Sequence, residues 1–103
     1  MTAISEIQIV PVKHRDGLVA FASFLINNEI YCGSVAIFTL PFSDGDEYRL
    51  VYPTKRVGNK EFNIFHPVNR EVGTYIEKEV IKKYEEVIQY DWRRYNNPEF
   101  LST

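Results

Sequence analysis

The chain predicts an α+β fold: a small antiparallel sheet of about five strands, then one long C-terminal helix. Three observations carry this. Short β-branched and aromatic runs, each bounded by turn residues, fill the sequence up to about residue 65. From Val72 onward the apolar residues fall at helical spacing. Asn69 before that run and Asn96-Asn97-Pro98 after it mark a helix start and stop. A chain of 103 residues corresponds to one domain. Its sheet is expected over about residues 5–65, its helix over about 70–95, and a short tail over 96–103.

Ser5–Val12 is the first strand, with Ile4, Gln8 and Val10 on one parity and Ile7 and Ile9 on the other. Pro11 places it at a sheet edge, because proline cannot donate to a ladder. Asp16-Gly17 then makes a hairpin turn. Leu18–Ile26 is almost continuously apolar and is expected as a central strand covered on both faces. Asn27-Asn28-Glu29 is a second turn, and Ile30–Leu40 a third strand in which Gly33 signals a bulge or a close backbone approach.

Pro41–Glu47 is an acidic loop, Tyr48–Tyr52 a fourth strand and Thr54–Lys60 a basic loop turning at Gly58-Asn59. Phe62–Phe65 is a short fifth strand that His66-Pro67 stops, since the residue before proline is held extended. Asn69 caps the helix and Glu71 suits its positive end. Val72, Ile76, Val80, Tyr84, Val87, Ile88 and Tyr95 form its apolar stripe. Glu79–Lys83 and Lys82–Glu86 are opposite-charge pairs four apart.

Composition narrows the chemistry. The single cysteine, Cys32, excludes an intrachain disulfide and a cysteine-based zinc site. No apolar run approaches the ~20 residues of a membrane span, and MTAISEIQIV lacks the parts of a secretory signal, so a cytoplasmic protein is expected. Catalysis lacks a set of partners. His66 with Glu61 has no orienting third group, and Cys32 lies in an apolar strand where a small core residue is the expected role. Asp44, Asp46 and Glu47 lack the twelve-residue ligand pattern of a calcium loop. Gly58 and Gly73 stand alone, without phosphate-loop spacing. No metal, cofactor or catalytic residue is assigned.

Charge is the stronger signal. The net charge of −2 hides a local reversal: residues 54–70 carry Lys55, Arg56, Lys60 and Arg70 against Glu61 alone. Three cations face six acids before this segment, and five face seven after it. Tyr52, Phe62 and Phe65 interleave with the cations, the combination that binds nucleic-acid strands through phosphate contacts and stacking. Arg70 adds a cation at the helix N-terminus. A second candidate surface is the helix end, Trp92, Arg93, Arg94 and Tyr95 with Tyr90 and Phe100, since arginine and aromatic residues are enriched at protein interfaces.

Written out, Pro53-Thr54-Lys55-Arg56, Glu61-Phe62 and His66-Pro67-Val68-Asn69, with Tyr84 at a matching distance, resemble the stage V sporulation protein G family (SpoVG, the septation regulators). Arg15-Asp16-Gly17 and Ala20-Phe21-Ala22-Ser23 are similar to its first hairpin, so the likeness runs from about Ile7 to Tyr84. The resemblance implies a homodimeric, cytoplasmic bacterial regulator that is not an enzyme and binds DNA or RNA, with Lys55 and Arg56 in the contact loop. The chain departs from the family in its longer acidic 41–47 loop, in Gly33-Ser34, and in a helix that continues into Trp92-Arg93-Arg94. These departures frame the alternative: a diverged member from a mobile element, acting as a protein-interaction module that binds or inhibits a partner protein through the acidic loop and the aromatic helix end.

Overall fold

A computed structural model describes residues 1–40 and 47–95, with side chains up to Gln89. Its elements are β1 (Ile4–Arg15), β2 (Leu18–Ile26), β3 (Ile30–Thr39), β4 (Tyr48–Val51), β5 (Thr54–Val57), β6 (Lys60–Asn63) and α1 (Arg70–Tyr95). Strands β1–β4 form an antiparallel sheet in sequence order, and β5 and β6 form a separate two-stranded sheet. The small antiparallel sheet followed by one helix is the α+β fold expected.

Turn chemistry sets the order of the sheet. Asp16 and Gly17 both take positive φ, 53° and 91°, as a tight hairpin turn demands. Asn27 and Asn28 do the same at the next turn. Asn27 also ties that turn to the start of the chain, its Oδ1 accepting from the Ala3 N–H at 2.9 Å and its own N–H donating to the Ala3 carbonyl at 2.7 Å. β1, which contains Pro11, is an edge strand as expected.

One bulge corrects the simple alternation read for β1. Glu6 adopts φ 49° where the pairing with β2 shifts between Ser5 and Gln8. The extra residue rephases the strand, so Ile4, Ile7 and Ile9 all pack toward the core while Val10 faces out. A second irregularity lies where the sequence signals it. Gly33-Ser34 interrupts the β2–β3 register, and Ser34 takes φ 62°.

The helix lies on one face of the sheet. Ala20, Ala22 and Phe24 of β2, Cys32, Val35 and Ile37 of β3, and Ile76, Val80 and Tyr84 of α1 form the buried core. The Tyr48 and Tyr84 rings meet edge to face at 5.0 Å. Asn69 caps α1, its Oδ1 accepting from the Val72 N–H at 2.8 Å. Tyr75, absent from the expected stripe, also packs on the core, and its hydroxyl accepts from the Ile4 N–H at 3.1 Å. Among the described residues the ion pair on the helix is Lys83–Glu86 at 4.0 Å, in place of the two pairs expected four apart.

Two further expectations are corrected. β2 is central but not covered on both faces: Phe21 is 38% exposed on the side away from the helix. There Val10, Phe21, Ala36 and Val51 pair in register as one apolar row across all four strands. The sheet count also changes. The basic segment 54–60 is not a loop but β5 and the turn into β6, and the fifth strand expected at Phe62–Phe65 begins instead at Lys60. Gly58, at φ 62°, opens a two-residue turn that pairs Val57 with Lys60. That turn chemistry prevails over the poor strand propensity of two adjacent cations.

Candidate nucleic-acid interface

The hairpin positions three of the four candidate cations. Every residue of β5 and β6 is exposed. Register pairs Lys55 with Phe62 and Val57 with Lys60, and these two pairs share one face because strand side chains alternate. Thr54 with Asn63 and Arg56 with Glu61 form the other face. The pleat therefore separates Lys55 from Arg56, which sequence adjacency places together in a contact loop. One face holds Lys55 and Lys60 around Phe62 and carries no acid. On the opposite face Arg56 sits across from Glu61, whose carboxylate also accepts from the Thr54 hydroxyl at 2.6 Å.

The aromatic residues divide in the same way. Phe62 is 51% exposed and free to receive a planar ring. Tyr52 and Phe65 stand at the two feet of the hairpin, half-buried, with ring centroids 5.9 Å apart and edge to face. They anchor the hairpin to the core and are not stacking surfaces. The feet are closed by the Ile64 N–H donating to the Pro53 carbonyl at 3.0 Å.

Arg70 is exposed in the first turn of α1, where it lines a shallow groove with Leu50, Tyr52 and Glu77. No hydrogen bond or ion pair joins it to the hairpin among the described residues. The side chains of Trp92, Arg93, Arg94 and Tyr95, residues 41–46 of the acidic loop and the tail from Asn96 all lie outside the described residues.

Cys32 is 3% exposed, and burial pushes its thiol up from the usual range. The exposed His66 ring donates from Nδ1 to the Pro67 carbonyl at 3.1 Å, while Glu61 is engaged by Thr54. Among the described residues no three of His, Cys, Asp and Glu cluster as a metal site. No helix among them is long and apolar enough to cross a membrane.

Two features were missed at the level of sequence: the shared face of Lys55, Val57, Lys60 and Phe62, and the open apolar row on the main sheet. Gly58-Asn59 between residues that alternate was the available signal for the first. The second needs the cross-strand register, which the sequence does not print. Compared with protein-family models and with curated proteins, the chain finds no match to either.

Proposed function

We propose that this chain is a non-enzymatic, dimeric nucleic-acid-binding regulator of the SpoVG type, working in a bacterial cytoplasm and gripping the DNA or RNA backbone with the β5–β6 hairpin. The observation that carries this reading is the acid-free hairpin face, where Lys55 and Lys60 flank the exposed ring of Phe62. Two ammonium groups supply phosphate contacts, and the ring between them supplies a stacking platform. An isolated two-stranded hairpin is marginal in water, and one exposed on both faces gains most from a partner that lies along it. The row Val10–Phe21–Ala36–Val51 supports the dimer: a two-fold axis through it would let each copy cover the other's apolar row. Two hairpins on one dimer would then add avidity to a contact of few charges.

The test is a salt titration of binding to random single- and double-stranded oligonucleotides by fluorescence anisotropy, with solution mass measured alongside. Lys55→Ala with Lys60→Ala is expected to weaken binding across all sequences and to lower the log–log salt slope by about 1.4 to 1.8 for each bound hairpin. Arg56→Ala, facing Glu61, changes the slope by less than either lysine. Wild-type protein without salt-sensitive binding at low ionic strength refutes the reading. Capture of a partner protein that depends on Trp92 or Phe100 but not on Lys55 would favour the interaction-module alternative.

A further inference from the structure

The face of the β1–β4 sheet turned away from α1 changes character along the strands. At one end Arg15, Leu18, Phe38 and Arg49 pair in register as a row, with an arginine on each edge strand. No ion pair engages either arginine among the described residues. The apolar row Val10–Phe21–Ala36–Val51 comes next. Beyond it lies a groove of about 340 Å³, lined by the small Ser23 and Ser34 between Phe21 and Tyr31. Tyr31 is 71% exposed, and its ring lies across Gly33, where a Cβ would come within 2.9 Å of it. At that same end Glu6, exposed in the β1 bulge, stands beside Ser5.

We propose that this face is covered by the same face of a second copy, about a two-fold axis that runs across the strands along the Val10–Phe21–Ala36–Val51 row, on its groove side. The inference rests on the dimer of the reading above and not on its nucleic acid. Area fits a second copy. Strands about 4.8 Å apart, rising about 3.3 Å per residue, give a face of about 450 Å² per copy and about 900 Å² over the pair, the low end of specific interfaces. Shape fits too, since this axis seats Phe21 of each copy over the serine-lined groove of the other. Charge then selects the axis. Aligned sheets pack face to face about an axis either along the strands or across them. Along the strands, β1 lies over β4 and Arg15 of each copy meets Arg49 of the other, a like-charge contact made twice. Across the strands, each arginine end lies over the other copy's Tyr31 end. Arg15 then comes over Glu6, and Arg49 comes beside the Tyr31 ring, a cation–π pairing. This axis also lays β4 over β4. Both hairpins, each beginning at Thr54 just past Val51, therefore leave from one edge of the dimer, where one strand can engage the two together.

The experiment follows the mass of the intact chain by sedimentation velocity over a dilution series at low salt, with far-UV circular dichroism and the urea midpoint as checks on folding. Wild type is expected to dimerise with a dissociation constant of about micromolar order, as the area implies. Phe21→Gln, at a residue already 38% exposed, should keep the fold and weaken association by about tenfold or more. Arg15→Glu should weaken it about tenfold, and so should Glu6→Arg, while the double variant Arg15→Glu with Glu6→Arg should restore it. An axis along the strands requires the opposite sign: Arg15→Glu would then tighten the dimer by relieving its contact with Arg49, and that result overturns the proposal. A dimer indifferent to Phe21→Gln overturns it as well, but leaves the dimer of the reading above standing on another surface. Monomeric mass at every concentration removes both.

Discussion

Two hairpins of this chain use the same turn chemistry to opposite ends. The β1–β2 hairpin turns at Asp16-Gly17 and the β5–β6 hairpin at Gly58-Asn59, each with a positive φ in the turn. The first is pressed into a sheet under a helix, and its Ala20, Ala22 and Phe24 are almost wholly buried. The second stands apart as its own sheet, exposed along every residue. Turn geometry therefore fixes pairing, while the side chains on each strand decide what the pair is for. An apolar strand is held by burial, which supplies most of folding stability. A strand reading Thr-Lys-Arg-Val is left in water and its stability rests on its feet, Tyr52 and Phe65.

The largest expected effect lies in the buried hairpin. Phe24→Ala removes a ring that is 1% exposed from the centre of the core. A loss of about 3–5 kcal/mol is expected, measured by urea unfolding, which is a large part of what holds a domain of this size. A loss under about 1 kcal/mol would mean that the core is loosely packed and the contrast between the hairpins overstated.

A second effect tests the closed region by pH. Burial, then the neighbouring Tyr48, pushes the Tyr84 hydroxyl from 10.0 to about 12. Burial, then the Glu77 charge and then Cys32, pushes Tyr52 to about 12 as well. Between these limits the folded chain holds protons that the unfolded chain has lost, so stability falls as pH rises. The contribution is whole below pH 10 and disappears as pH climbs through about 12. Urea midpoints taken from pH 8 upward should drop across that window, and Tyr84→Phe should make the drop shallower. Midpoints flat to pH 12 would place both hydroxyls in contact with solvent.

How far these regions were legible follows from what each depends on. The helix was readable because its signals are local: Asn69 at the cap, a recurring apolar stripe, and Asn96-Asn97-Pro98 beyond it. The central sheet was readable from Asp16-Gly17 and Asn27-Asn28. The bulge at Glu6 was not, because a glutamate at positive φ carries no sequence signal and is selected by Ile4 and Ile7, of opposite parity, both needing the core. The four cations were legible as a cluster from charge alone. Their division between two faces was not, since it depends on strand pairing through Gly58-Asn59 and charge counting ignores the pleat. Arg70 was grouped with them by proximity in sequence, and the fold leaves it at the head of α1.

The smallest effect on stability is expected at Phe62, where the proposed binding predicts a large loss of affinity. Phe62 is the counterpart of Phe24: the same side chain on the opposite kind of hairpin, half in water and opposite Lys55. Phe62→Ala should shift the unfolding midpoint by no more than about 0.5 kcal/mol, because exposed substitutions away from caps and cores rarely do more. If the ring serves as a stacking platform, the same change should weaken single-strand binding about tenfold, since base–aromatic stacking is worth about 1–3 kcal/mol per base. The salt slope should stay as in wild type, because no ammonium group is lost. That pattern separates stacking from charge: Lys55→Ala with Lys60→Ala lowers the slope, and Phe62→Ala lowers affinity at constant slope. If Phe62→Ala instead destabilises the chain by more than about 1 kcal/mol, the hairpin is a structural element held by its own cross-strand contacts. The division between a buried hairpin for stability and an exposed one for recognition would then fail.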